Sequence, residues 1–461
     1  MTTVVISSTR WRAGAMVAVA AILSVILSLR LDALSDVALI GLGVAVGGIV
    51  VLLTAAAVVP RADLFGPFFF YPLFFVIYFG IGSINLGVVR GLVEVNSVAP
   101  YMVLGMACYF GGAFLGRLSV ANSGRPGDYS IDSREPSQVW RWAALGVMLL
   151  ALTGWCVQAL FYGLPIFGGA SRFATRGYLL LLVRLGWVAA LLRFIPMVLK
   201  RKFPLPVLAG WFGTSAFLCA TLAFRTPMLM LALTVLVVTY YGTSVGGTRI
   251  LLSLCLLAAI MSGLWVLRRG GLEEGETSYG DLLSRFDVPA ELGAVAPIWM
   301  QFREGTGLFA QAVEKRMAGV TGGYLLVSDA VTALPGKQAA GGEIVRDLFG
   351  GTGEGGLTPS ILGAMYLDFG AIGIAVSLAG LGFILGLIHR LTVRTGDIGL
   401  LLMYAYVLAV AVHWTHRGVF SVSYVFNFIV LGLVVLAARS STGCASSGKT
   451  SRTGCTVVTG D

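Results

Sequence analysis

The stretch "LTPSILGAMYLDFGAIGIAVSLAGLGFILGLIHR", residues 357–390, decides the fold. Between its Thr-Pro opening and its His-Arg close, residues 360–388 carry one charge, Asp368. An apolar run of about 18 residues or more reads as a membrane-crossing helix. Thr358 stands where an N-cap belongs, and Pro359 where the first helical residue belongs. Asp368 falls about ten residues into the run. A carboxylate there is predicted to pair with a cation such as Arg184 or Arg225, or to serve a site.

The same pattern recurs along the chain. Of its 461 residues, 57% are hydrophobic and 12% charged, far from a soluble globular composition. We count about twelve apolar runs, near 13–29, 37–59, 65–88, 99–120, 139–162, 179–199, 205–223, 227–245, 250–267, 360–388, 398–413 and 420–438. The reading is an all-α polytopic membrane protein. The first run is followed by "RLDALSD" (30–36) rather than a small-residue cleavage site, so it reads as a retained anchor. Helices 1–9 occupy 1–267, a large loop 268–358, helices 10–12 residues 359–438, and a disordered tail 439–461. The tail is predicted from its Gly/Ser/Thr-rich composition.

The net charge of +10 invites a nucleic-acid reading, but its distribution argues against one. The 268–358 loop is net negative, with 8 Lys/Arg against 12 Asp/Glu, so the surplus lies elsewhere. Much of it sits in short loops such as "KRK" (200–202), which read as cytoplasmic by the positive-inside rule. Twelve spans with Arg10 and Arg12 inside then place "HRLTVR" (389–394) and the C-terminus inside. They place 163–178, the turn near Arg225, the 268–358 loop and "THRG" (415–418) outside. Cys108, Cys156, Cys219 and Cys255 fall in spans and Cys444 and Cys455 in the tail, so no disulfide framework is implied.

The outer loop is too long for a bare connection and reads as a functional cap. "GDLLSRFDVPAELGAVAPIWMQF" and "GLFAQAVEKRMAG" have helical spacing with apolar faces and predict short helices. Two nucleotide-like motifs lack their context. "GCASSGKT" (443–450) fits the phosphate-loop pattern, but it follows a membrane helix and only eleven residues remain after it. "GTGEGG" (351–356) has no strand before it. Its glycines, Gly353 among them, lead into Thr358 at a helix start, where free backbone N–H groups suit an anion.

Arginines form the stronger signal. Arg172, Arg176, Arg184, Arg225, Arg268, Arg269 and Arg417 all fall at or near outer membrane ends. In "SRFATRGYLLLLVRLG" (171–186), Arg176 and Arg184 lie about 80° apart around a helix and roughly 12 Å along it. Any one of them reads as a snorkelling or salt-bridged residue, but seven at one leaflet point to a polyanion site. His413 and His416 in "HWTHRG" have no metal-ligand constellation around them. His416 is either a general base or an interfacial polar residue beside Trp414.

"YGLPIFGGASRFATRG", "FRTPMLMLALTVLVVTYY", "GGLTPSILGAMYLDFGAIGI" and the late "HRGVF" occur in an order that resembles the Wzy-type O-antigen polymerases, which join oligosaccharide repeat units. The resemblance covers roughly 160–440. It implies a GT-C-like glycosyltransferase at the outer face of the bacterial plasma membrane. Such an enzyme uses polyprenyl-pyrophosphate-linked glycans as donor and acceptor, needs no nucleotide sugar, and transfers the growing chain onto the incoming repeat unit. A chain-length regulator protein is a further candidate partner, beside the membrane lipids.

Departure of a pyrophosphate develops charge that arginines can stabilise without a metal or other cofactor. Arg172, Arg176, Arg225 and Arg417 are the expected clamp, with Arg184 reinforcing and Arg268 and Arg269 nearby. Glu354, Asp347 and His416 are the candidate bases for the acceptor hydroxyl, with Asp368 a further catalytic candidate. Trp299 or Tyr324 would stack on acceptor sugar. An O-antigen ligase shares the expected architecture and is the close alternative. A flippase for lipid-linked oligosaccharide would show internal repeats and short outer loops, and a scaffold would not need the arginines.

Overall fold

The computed structural model describes residues 63–83, 97–120, 138–164, 177–200, 202–222, 226–243, 253, 296–331, 339–351 and 356–447. Every regular element among them is a helix. In chain order these are α1 (Phe70–Gly82), α2 (Ala99–Leu118), α3 (Gln138–Tyr162), α4 (Gly177–Lys200), α5 (Leu205–Thr221) and α6 (Thr226–Thr243). There follow α7 (Ala296–Glu314), α8 (Tyr324–Val331), α9 (Gly341–Leu348), α10 (Ser360–Thr395), α11 (Ile398–Arg417) and α12 (Val422–Ser447).

Seven of these, α2, α3, α4, α6, α10, α11 and α12, are long and apolar enough to cross a membrane. The chain is a helical polytopic membrane protein. Helices α1 and α5 stand where spans were expected; at 13 and 17 described residues they are shorter than the typical ~20 of a crossing helix, and 84–88 of the first run lie outside the described residues. The expected runs at 13–29 and 37–59 lie outside the described residues, as does that at 250–267 apart from residue 253. Helix α12 runs on to Ser447, past residue 439 where the tail was expected to begin. Once nucleated, a helix propagates cheaply through polar residues. Residues 443–447 of the phosphate-loop pattern are therefore helical backbone rather than an open cradle.

The chain divides into two compact units. One holds Met1–Gly127, Val245–Thr395 and Tyr406–Val422; the other holds Asp128–Ser244, Gly396–Ala405 and Ser423–Asp461.

In the first unit, α2 and α10 form the principal seam. A Cβ on Gly112 or Gly116 would strike the carbonyls of Ala379 and Phe383, and one on Gly382 or Gly386 those of Tyr109 and Ala113. Each helix thus presents a Gly-x-x-x-Gly pair to the other's backbone, the arrangement that lets membrane helices approach closely.

Helix α10 is not the uniform span expected from its hydropathy. At Gly370 the backbone turns to φ 66 and ψ −148, and the helix breaks. The second part, 371–395, is about 37 Å long and sufficient to span a bilayer by itself. The first part, 360–369, is only about 15 Å long. It is buried around its whole circumference over 360–368, as a helix apolar on all sides must be. The break frees backbone groups, and the segment after α7 satisfies them: Gly319 N–H donates to Tyr366 O (3.1 Å) and Thr321 N–H to Leu367 O (3.0 Å).

Helix α7 packs on α1 and α10. Gly82 meets Phe302 O and the Thr306 hydroxyl, while the Tyr78 hydroxyl lies against Gly305. The Phe302 ring stacks tilted on Tyr78 at 4.7 Å. One helix of 19 residues therefore joins the two pieces, "APIWMQF" and "GLFAQAVE", that were expected to be separate.

In the second unit, α4 packs against α3, α5 and α6, and residues 185–192 are buried without interruption. Pro196 lies inside α4. Trp155 Nε1 donates to Thr221 Oγ1 (2.8 Å), pinning α3 to α5. Asp397 opens α11, accepting from Leu400 N–H (2.9 Å) and from Arg439 (2.9 Å).

Candidate active site

The site in the first unit is built on the last turn of α11, "HWTHRGVF". Gly418 follows the helix at φ 77, and its N–H donates to Trp414 O (2.8 Å). This is the left-handed cap that favours glycine. Trp414 Nε1 donates back to Gly418 O (2.7 Å), and Thr415 Oγ1 pairs with Tyr71 Oη (2.9 Å). The turn is thereby fixed, and with it the directions of His416 and Arg417.

The same turn meets the start of α10. A Cβ at Gly418 would strike the Ser360 carbonyl. Ser360 has a left-handed φ of 61, and its hydroxyl accepts from Gly363 N–H (3.5 Å). The cap expected at Thr358 thus falls on Ser360, two residues later, because that residue makes the bend. Thr358 instead donates through both N–H and Oγ1 to Glu304 Oε1, at 3.4 Å each.

Around this junction α1, α7, α8 and α11 bring chemistry-bearing side chains together. Tyr78 Oη shares a hydrogen bond with His416 Nδ1 (3.3 Å). The Glu304 carboxylate is close enough to act on the Tyr78 hydroxyl electrostatically. Arg417 Nη2 donates to both oxygens of Asp329, at 3.0 Å each. Both bonds leave from Nη2, so Nε and Nη1 take no part in the Asp329 pair. Its side chain is 30% exposed. Arg303 is buried, with its guanidinium 4.7 Å over the Trp299 ring.

Of the residues expected from sequence, the structure gathers Thr358, His416 and Arg417. Three others have partners different from those expected. Asp368 is 2% exposed, and its partners are Thr321 Oγ1 (2.5 Å), Leu325 N–H (3.0 Å) and Leu326 N–H (2.8 Å). Amides and a hydroxyl fill the role predicted for a guanidinium, because the break at Gly370 brings the carboxylate to the start of α8. Asp347 pairs with its neighbour Arg346 (2.8 Å), and its side chain is 64% exposed. Arg184 belongs to the second unit and donates to Ser423 Oγ (3.0 Å).

Trp299 is 4% exposed beneath Arg303, so it offers no face to a sugar. Tyr324 opens α8 and is half-buried. Arg172, Arg176, Arg225, Arg268, Arg269, Gly353 and Glu354 lie outside the described residues.

Sequence reading missed Tyr78, Arg303, Glu304 and Asp329. The signal was present in "FREGTG" (302–307), an adjacent Arg-Glu pair followed by small residues within an aromatic, apolar helix.

A family model for O-antigen polymerases matches residues 63–287 and 296–428. The chain belongs to the O-antigen polymerase family. The family expected from the motif order is the family shown, and it makes the protein a glycosyltransferase-like polymerase acting on lipid-linked glycans. Every member of the cluster, from Tyr78 to Arg417, falls within the matched residues. No curated protein and no solved structure matches the chain.

Proposed function

We propose that this O-antigen polymerase joins polyprenyl-pyrophosphate-linked repeat units at the outer face of the bacterial plasma membrane. The growing glycan leaves its lipid carrier and is placed on the non-reducing end of the incoming unit. The anomeric carbon–oxygen bond to the diphosphate breaks, and a bond to the acceptor oxygen forms. The diphosphate departs with the electron pair, and the acceptor proton passes to a base. About twelve spans, cytoplasmic termini and a GT-C-like architecture belong to the same reading.

The observation that carries it is Arg417. A locked turn projects it, Asp329 holds it through Nη2 alone, and we assign Nε and Nη1, which take no part in that pair, to the anion. Such a group stabilises charge that develops in the transition state without having to reorganise. Arg172, Arg176, Arg225, Arg268, Arg269, Arg184 and the glycine-rich loop around Gly353 stay further candidates for holding the diphosphate. His416 is the base we favour, since it shares a hydrogen bond with Tyr78 beside Arg417, whereas Asp347 is exposed and paired with Arg346. Tyr78 orients its ring. Glu354 stays a second candidate for that role.

The test is deletion of the gene in its host, with the surface glycan resolved on a gel. Loss of the polymerase leaves single repeat units on the final carrier. Full-length chains accumulating on the lipid carrier would instead identify a ligase. Complementation by Arg417→Ala, at normal abundance in the membrane, is expected to leave single units. Full restoration of long chains would sink the role of Arg417.

A further inference from the structure

We propose that Asp368 is a positioning residue for Arg417, acting through α8. The proposal rests on the reading of Arg417 as a diphosphate-binding group.

Helix α8 has 8 residues, too few to hold itself in isolation. Its first N–H groups need acceptors from outside the helix. Asp368 supplies them, taking Leu325 N–H at 3.0 Å and Leu326 N–H at 2.8 Å. The same carboxylate takes the Thr321 hydroxyl at 2.5 Å, which fixes the segment leading into the helix. A buried negative charge at a helix N-terminus is favoured by the helix dipole, and charge-assisted hydrogen bonds are the stronger kind.

Asp329 follows four residues after Leu325, one turn further along and about 6 Å away by the helical rise. Both of its oxygens face Arg417 Nη2 at 3.0 Å. The guanidinium is therefore located from two sides, by the capped end of α11 and by Asp329. Asp368 sets where Asp329 stands. It is itself set by the break at Gly370, which turns the end of the buried half of α10 toward α8. The chain of contacts runs from a bend in a membrane helix to the anion-binding group of the site. Misplacement of such a group by about 1 Å can cost up to 100-fold in rate.

A purely sealing role for Asp368 predicts something different. Its loss would then lower the amount of protein and leave the chemistry of the folded fraction unchanged.

The experiment compares Asp368→Asn, Asp329→Asn and the double variant in cells lacking the native gene. Chain growth is scored from the glycan gel per unit of polymerase in the membrane. Each single variant is expected to slow growth about tenfold, and the double variant to be no slower than either single. Asp329→Glu, which keeps the charge, is expected to recover most of the loss.

A hundredfold loss in the double variant, the product of two independent effects, overturns the proposal. So does Asp368→Asn growing chains at the normal rate per molecule. If Asp368→Asn fails to accumulate, Thr321→Val removes a single hydrogen bond. It is expected to slow growth about threefold at normal abundance, and normal growth there overturns the proposal as well. Arg417→Ala, run in parallel, separates the two readings. Full activity in that variant refutes the role of Arg417 itself, whereas loss there with a neutral Asp368→Asn refutes only the positioning.

Discussion

The two parts of α10 are continuous in sequence and opposite in character. Residues 371–395 form a plain membrane helix whose glycines interlock with those of α2, while Ile372 and Val376 stay exposed. Residues 360–368 are buried on every side, and polar contacts govern their ends. Ser360 bends against Gly418 at one end, and Asp368 grips α8 at the other. Both are predominantly apolar. The difference is that the second part answers to packing, whereas the first carries the geometry of the site. Substitutions in the second part should therefore cost protein, and substitutions around the first should cost activity.

The largest effect is expected at the seam. Gly382→Leu puts a side chain onto the Tyr109 carbonyl and the Ala113 N–H. Neither backbone atom can yield without moving α2. Overpacking against side chains typically costs 1–3 kcal/mol, and with backbone as the obstacle we expect about 3 kcal/mol or more. The polymerase should disappear from the membrane fraction. Normal abundance of Gly382→Leu would refute the interlocked seam.

Next in size is Arg417→Ala, expected to cut chain growth by about 100-fold, the scale of removing one preorganised charge-stabilising group. Its abundance should fall only slightly, since the Asp329 pair is part-exposed and contributes about 1 kcal/mol or less. Arg417→Lys keeps the charge but loses the planar fork and should recover only part of the activity. A large drop in abundance with unchanged growth per molecule would move Arg417 from the chemical to the structural side of the comparison.

Gly370→Ala tests the boundary itself. The φ of 66 and ψ of −148 lie where an L-residue is strained, at a cost of order 1–3 kcal/mol. Thermal aggregation of the detergent-extracted protein should begin several degrees lower. If Gly370→Ala were instead more stable, the helix would run straight through this point.

What the sequence made legible follows the same division. Six of the seven long spans could be placed within about four residues, because hydrophobic length is a local property of the chain. The family was legible too, from the order of short motifs. The break was not. Gly363, Gly370, Gly373, Gly380, Gly382 and Gly386 are equivalent to a hydropathy reading, and only contacts with the segment after α7 single out Gly370. Asp368 was the one local clue, and its charge suggested a cationic partner when the actual partners are backbone amides. Glu304 and Asp329 escaped for a related reason. An acid on an amphipathic helix looks like a solvated face until its distant partner, Thr358 or Arg417, is placed beside it.

The smallest expected effect belongs to Asp347, and it is informative for being small. In sequence it is as good a base as His416, since it is acidic and falls in the expected outer loop. In the structure its carboxylate is bound to the adjacent Arg346 at 2.8 Å and is mostly exposed. Exposed ion pairs contribute about 0–1 kcal/mol. Asp347→Ala should therefore shift stability by no more than about 0.5 kcal/mol, with the ladder of chain lengths on the gel unaltered. His416→Ala, measured beside it, should leave single repeat units. If Asp347→Ala stopped polymerisation while His416→Ala did not, the reacting centre would lie at α9 rather than at the junction of α10 and α11.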